Sequence, residues 1–593
     1  MGYNAKSGNE TMCGNIFWKP LGAGCPAISA EWPHRLCRPF YKNHLFRRFS
    51  MLSFKGPGRI LTTAAVLFFL SQPAFPCTSI LITKGASKNG ASIITYSCDG
   101  EFLSRLRIIP AADYGPDAKI EIMGRQGKRG EIPQVAHTYK VVGLMNEFQL
   151  AIGETTFDGR LELVNPDGFL HYFQLMTMTL QRAKTAREAI RVMTGLVDRY
   201  GYASSGESFS IADKEEAWVM EMVGPGQGGK GAIWVALRVP DGMVSAHANM
   251  ARIGEFPLDD PENCLYSKNV ITFATEKGFY DPKSEKSFNF TLAYCPPSEE
   301  QVKYSARRVW SIFRRVAPGL GLSPDFSSSI PGAKPYPLWI KPERRLDVAD
   351  AISLHRDHYE GTPFDMTKDL VAGPFAAPDR WRPLKWKLDG QPYAWERPIA
   401  TQQAAFVFVS ESRTDLPDEI GGINWYGMDN PYTNFFIPLY TSITDLPAPY
   451  TKGSMEMFSR DSAWWVFNFV ANYANLRYSY MIKDIQKVQK EIEDLQFALQ
   501  PAIEATARQL LATRPELVSA YLTRYCVSNG QMNMDRWWQL AEFLITKYND
   551  GYIRDEKGNP REIGYPEEWL RTEAAKNPKK FRLKSERKGE GEL

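Results

Sequence analysis

An α+β fold is what the sequence predicts, on three observations. Short runs of β-branched and aromatic residues recur between residues 77 and 250. A stretch with helical spacing interrupts them at 170–200, and a charged, helix-forming region follows residue 478. The composition, 44% hydrophobic and 23% charged over 593 residues, is that of a globular chain able to bury a large core.

The formal charge of +4 is unevenly placed. Residues 1–76 carry nine Lys/Arg and two Asp/Glu, which leaves 62 against 65, or −3, for the remainder. No basic stripe exists there to follow a phosphate backbone, so nucleic acid is excluded as a partner.

Residues 1–50 show no clear periodicity and are read as an upstream extension outside the fold, with Met51 as the true start. Residues 51–76 read as a signal peptide or propeptide. The apolar run 60–70 is eleven residues, short of the roughly 20 that span a bilayer, and Lys55 and Arg59 supply a positive flank. Removal of this segment would leave an exported, periplasmic or extracellular protein with no membrane span. Pro76 is an awkward residue before a signal cut, and cleavage after Ala74 would leave Phe75-Pro76 to be trimmed.

Cys77 follows directly. A cysteine at a new chain start carries a nucleophile and a base on one residue, because its α-amine has a reference pKa of about 7.7–8.0 and can accept the thiol proton. By spacing alone, Cys77 is equally a small apolar residue opening a buried strand. Ala74-Phe75-Pro76 lack the small residues of a lipoprotein signal, which argues against lipidation.

The runs 78–83 and 91–96, joined through Asn89-Gly90, predict a hairpin that returns Asp99 to the chain end. Asp99 is then placed to hold the α-amine of Cys77, or else to cap the Asp-Gly turn. A second hairpin is expected from 139–145 and 149–153. It ends in Glu154-Thr155-Thr156, which can line a pocket and meet a substrate amine or amide, or simply bond at a strand end.

Residues 170–200 predict a helix, and strands are expected at 208–212, 216–223, 233–239 and 243–248. Asn249 closes the last strand, where its side-chain NH₂ can face an oxyanion or serve a turn. Arg252 can pair with a substrate carboxylate. Arg307 and Arg308 read by default as helix-surface charges, with approach of either one to the site as the alternative. His355, His358 and Glu360 lack the spacing of a zinc peptidase, and Gly361 and Pro363 break any helix that would align them, so no metal or other cofactor is expected.

Several of these motifs resemble one family in order along the chain. They are Cys77-Thr-Ser-Ile-Leu-Ile, the loop 84–92, Asp99, the turn at Met145-Asn-Glu, Ile152-Gly-Glu-Thr-Thr156, Ala248-Asn-Met-Ala-Arg-Ile253, Arg356-Asp-His-Tyr-Glu-Gly-Thr362 and Gly373-Pro-Phe375. Together they resemble the dipeptidase A and secernin-like cysteine peptidases of the N-terminal nucleophile hydrolase superfamily, over roughly residues 77–480. The resemblance implies a four-layer αββα sandwich, with the sheet–helix–sheet order in agreement. It implies catalytic roles for Cys77, Asp99 and Asn249, and substrate contacts from Glu154, Thr155 and Arg252. One departure stands out: relatives often carry arginine where this chain has Tyr96, which puts arginine-assisted thiolate formation in question.

Residues 481–575 predict helices beyond this domain, with Ile485, Val488, Ile492, Leu495, Leu499 and Ile503 forming a stripe that faces the body or a partner subunit in a homo-oligomer. The lysine-rich segment 576–593 reads as a flexible tail. Among Cys98, Cys264, Cys295 and Cys526, the pair Cys264–Cys295 is the first disulfide to consider, with separate buried thiols as the alternative. The reading that results is an exported cysteine dipeptidase acting on short peptides. Its rivals are a related amidase for N-acyl amino acids, bile-salt or penicillin-like amides, and a non-catalytic binding protein.

Overall fold

The hairpin at Cys77–Ile82 and Ser92–Asp99 lies at the centre of the molecule, in a computed structural model that describes residues 77–100, 102–124 and 127–583. Expectations for residues 1–50, for the segment 51–76 and for 584–593 lie outside the described residues. The β-branched side chains favour extended backbone, and Gly90 supplies the left-handed turn at φ 73°, which a side chain would disfavour. Register places Cys77 opposite Cys98 and Leu81 opposite Ile94.

Around this hairpin a seven-stranded sheet assembles in the order Trp339–Ile340, Val244–Ala248, Cys77–Ile82, Ser92–Asp99, Ala404–Ser412, Ile423–Met428, Ile437–Tyr440. The second sheet has eight strands: Cys264–Tyr266, Ile233–Arg238, Ala217–Val223, Gly206–Ala212, Ala151–Thr156, Met145–Asn146, Val141–Val142, Ile108–Ile109. The class is α+β. Pairings within both sheets are antiparallel, yet the central strands are buried on both faces, so each of those faces must be covered.

One cover is the other sheet. Ala151–Thr156 packs against the opening hairpin, where a Cβ on Gly153 would stand 2.9 Å from Tyr96 Cβ, so glycine permits the approach. The other cover is helical. Tyr172–Leu180 and Ala186–Tyr200 lie on the second sheet, while Arg307–Val316, Val348–His355 and Ala463–Ala474 contact the first. The single helix expected over 170–200 is thus two. Residues Gln181–Thr185 break it, and Thr185 caps the second segment by accepting from Glu188 N.

The C-terminal region docks on the same side as those last helices. Helix Tyr478–Thr513 buries Met481, Ile485 and Ile492, each worth about 1.5–3 kcal/mol against exposure. Its stripe is not quite the expected one. Leu495 and Leu499 face solvent, and Gln489 and Gln496 point inward to bond the main-chain oxygens of Asn434 and Phe436, the latter at 2.8 Å. Phe497 packs on Trp425 of the first sheet, with ring centroids 4.7 Å apart. Among the described residues, no helix is long and apolar enough to cross a membrane.

Candidate active site

Cys77 opens its strand at the end of the first sheet where three other elements meet. Strand Val244–Ala248 runs beside it and delivers Asn249, the second sheet brings Glu154, and helix Arg307–Val316 brings Arg308. The Cys77 nitrogen donates to Asn249 Oδ1 at 2.9 Å. Arg308 Nη2 donates to that same oxygen at 2.8 Å, and its Nη1 reaches Thr78 Oγ1 at 2.8 Å and the Cys77 carbonyl. The guanidinium therefore fixes which end of the Asn249 amide faces Cys77, since only an oxygen can accept from it.

Arg308 is fully buried, contrary to the surface role expected of it. A one-turn π-helix at Val302–Ala306 directly precedes Arg307–Val316, in a segment whose start is closed by a capping box between Ser298 and Gln301. Arg307 turns to Glu396 and Ser327, while Arg308 enters the site. Burial, with the neighbouring Arg397 second, lowers the Arg308 pKa to about 9, so it stays cationic at neutral pH.

Asp99, expected to hold the Cys77 amine, is paired with an arginine. Asp99 Oδ2 takes a charge-assisted hydrogen bond from Arg397, both side chains being nearly inaccessible, and Oδ1 has no hydrogen-bond partner among the described residues. Asn249 is the observed acceptor for the Cys77 nitrogen. Its own NH₂ donates to Thr156 O at 2.6 Å.

Glu154 does reach the nucleophile. Its Oε1 lies 3.9 Å from Cys77 Sγ and accepts from Tyr96 OH at 2.5 Å, and Thr156 Oγ1 bonds Oε2 at 3.4 Å. Tyr96, the departure from the resemblance, thus meets the site through its hydroxyl. Burial pushes the Cys77 thiol up, Cys98 opposes this, and the Glu154 charge adds to it, so the resting group is the protonated thiol. On the adjacent strand, Glu207 packs against Glu154, and burial followed by that neighbour raises its pKa well above the carboxylate range.

Thr155 and Arg252, expected to meet substrate, are bonded to other groups of the protein. Thr155 Oγ1 is completely buried, bonded to His247 Nδ1 at 2.7 Å and to Ala248 O at 3.2 Å, and His247 Nε2 meets Ser210 Oγ at 2.7 Å. This relay ties the two sheets together. The Arg252 guanidinium bonds the carbonyls of Ala246, Tyr336, Pro337 and Leu338, which leaves it committed to main chain rather than a carboxylate. None of the five described cysteines forms a disulfide. Cys264 and Cys295, considered first as a pair, are separate buried thiols, and Cys295 donates to Asp158 O at 3.2 Å.

A buried thiol, its nitrogen held by an amide and that amide held by a cation, is an arrangement suited to nucleophilic attack in a hydrolase. Comparison with known proteins assigns the class: residues 76–491 match Peptidase family C69, and the chain belongs to that family. It is 24% identical over 459 residues to a probable dipeptidase A of Streptococcus pyogenes serotype M3, covering 74% of this chain and 90% of that protein. Dipeptidase A of Lactobacillus helveticus is 24% identical over 70% of this chain and 84% of its own. A dipeptidase of Bifidobacterium longum is 25% identical over 67% and 76%.

Proposed function

We propose that this chain is the precursor of an exported cysteine dipeptidase with the four-layer αββα architecture of N-terminal nucleophile hydrolases, in which Cys77 becomes the first residue. The observation that carries the reading is the linkage from Cys77 N to Asn249 Oδ1 to Arg308, which holds the nitrogen of the nucleophile itself at 2.9 Å. Similarity to proteins named dipeptidases supplies the substrate class.

Removal of the residues through Pro76 turns the Cys77 amide into a primary amine. With one N–H on Asn249, the neutral amine accepts the proton of Sγ, and the thiolate attacks the carbonyl carbon of a short peptide. The tetrahedral oxyanion is met by the Asn249 side-chain NH₂, a contact of a kind worth about 3–4 kcal/mol of barrier. The ammonium of Cys77 then returns its proton to the leaving amine as the C–N bond breaks, leaving a thioester. Water attacks that thioester with the amine again as base, the C–S bond breaks, and the thiol is restored.

Export rests on the apolar run at 60–70 and its basic flank, and it places the mature enzyme in the periplasm or outside the cell. The test is hydrolysis of a dipeptide panel by the mature protein and by Cys77→Ala, together with fractionation of the producing cells. Loss of turnover in the variant and recovery outside the cytoplasm support the reading. Undiminished turnover in Cys77→Ala contradicts it.

A further inference from the structure

The site holds more hydrogen-bond acceptors than donors at one place. Glu154 and Glu207 are both completely buried, on paired strands where Glu207 stands opposite Thr156 and Glu154 opposite Phe209. That register makes the two acids diagonal neighbours on one face of the sheet. Glu154 collects hydrogen bonds from Tyr96 and Thr156 and a long one from the thiol of Cys77. Glu207 Oε1 and Oε2 have no donor among the described residues. Arg308 is committed to Cys77, Thr78, Asn249 and Tyr304 and gives none to the pair.

Two carboxyl groups in contact cannot both ionise cheaply, so the empty pair keeps a proton. Burial raises both groups, and at Glu207 the neighbouring Glu154 adds to it, so that Glu207 is raised the more strongly. What would satisfy the pair is a compact cation with several N–H donors, and an ammonium has three.

Distance says where that ammonium comes from. A carbonyl carbon poised for attack lies about 3–3.5 Å from Sγ. The α-nitrogen of the same residue is two bonds beyond, about 2.5 Å from that carbon by standard N–Cα and Cα–C lengths. It therefore falls within about 6 Å of Sγ, on a sphere that Glu154 Oε1, 3.9 Å from Sγ, lies inside. A substrate turned toward Glu154 brings its α-nitrogen into hydrogen-bond range of that oxygen, with Glu207 next to it.

We infer that Glu154 and Glu207 form the seat of the substrate's free α-ammonium group, so that the enzyme accepts peptides with an unmodified amino terminus and rejects N-acylated ones. This rests on the reading of Cys77 as the nucleophile. An acylated nitrogen brings one N–H, no charge and a bulky carbonyl, and it leaves the buried oxygens of Glu207 without donors. Sites built to pair a polar group reject analogues that lack it by large factors.

The experiment compares Ala-Ala with N-acetyl-Ala-Ala on the mature wild type, Glu154→Gln, Glu207→Gln and Tyr96→Phe, with the rate of Cys77 alkylation by iodoacetamide measured on each. The wild type is expected to prefer the free dipeptide at least 100-fold in kcat/KM. Each Gln variant should shrink that preference at least tenfold, mainly through KM, while alkylation of Glu207→Gln, which leaves the Glu154 contact to the thiol in place, stays within about threefold. Tyr96→Phe, which keeps both acids, should retain most of it. A wild type that hydrolyses both compounds at similar rates overturns the seat and leaves the nucleophile standing, as does a preference that survives both Gln changes.

Calorimetric binding of the same two compounds to Cys77→Ala decides the seat without turnover. Ala-Ala bound at least tenfold more tightly supports it, and equal or absent binding of both overturns it. Discriminating binding combined with no turnover in the mature wild type counts against the nucleophile reading alone.

Discussion

Arg308 Nη2 stands 2.8 Å from Asn249 Oδ1, the oxygen that also accepts the Cys77 nitrogen at 2.9 Å. One cation thus orients the amide that orients the nucleophile. Lysine keeps the charge but cannot serve Thr78, Asn249 and the Cys77 carbonyl from a planar fork. Arg308→Lys is therefore expected to lower kcat on a dipeptide about 100-fold with KM within about threefold, as a 1 Å misplacement of reacting groups does. Steady-state kinetics check it, and an unchanged kcat would remove Arg308 from the account.

Asp99 and Arg397 form an ion pair at 1% and 3% exposure. Breaking one side of such a pair strands the other charge, at about 3–5 kcal/mol. Asp99→Asn should lose about that much stability in urea unfolding, and adding Arg397→Gln should recover part of it. Additive losses in the double variant would mean that the two residues act separately.

His247 is buried between the sheets as a neutral ring, its pKa lowered by burial to about 3. Below pH 6.5 the unfolded chain takes up a proton there that the folded chain refuses, so the stability this ring contributes falls as pH drops, by about 1.4 kcal/mol per unit. The stability gap between the wild type and His247→Gln should therefore shrink by about 2 kcal/mol from pH 7 to pH 5. Chemical denaturation of both proteins at the two pH values measures it, and a gap independent of pH would contradict the buried neutral ring.

The four carbonyls around Arg252 predict a role in stability rather than in recognition. Arg252→Lys should cost about 2–4 kcal/mol, since several buried acceptors lose their donors. The ratio of KM for a dipeptide to KM for its C-terminal amide should stay as in the wild type. A ratio that collapses toward one would return Arg252 to the substrate carboxylate.

How far the sequence reached follows from what each residue's neighbours reveal. The opening hairpin was legible because β-branched runs flank Asn89-Gly90, and the helix at 478–513 because its apolar spacing is regular. Glu154 was legible through its motif at a strand end. Glu207 was not, since an acid at the start of a strand looks like a solvent-facing residue until the first sheet covers it.

Arg397 lies in an irregular stretch between Trp395 and Pro398, where no periodicity marks a side chain that reaches Asp99 across 298 positions. Thr155 and Arg252 share motifs with Glu154 and Asn249, which meet Cys77, and only the hydrogen bonds they make set them apart. The disulfide expectation failed for a similar reason: Cys264 and Cys295 sit near turns, but cysteine spacing carries no distance information.

The central claim is that Cys77 acts with its own α-amine. Intact mass and N-terminal sequencing of the active, purified protein, with dipeptide hydrolysis measured on the same sample, test it most directly. The account predicts that activity appears only in chains beginning at Cys77. Full activity in chains that keep Phe75-Pro76 or more ahead of Cys77 would contradict it.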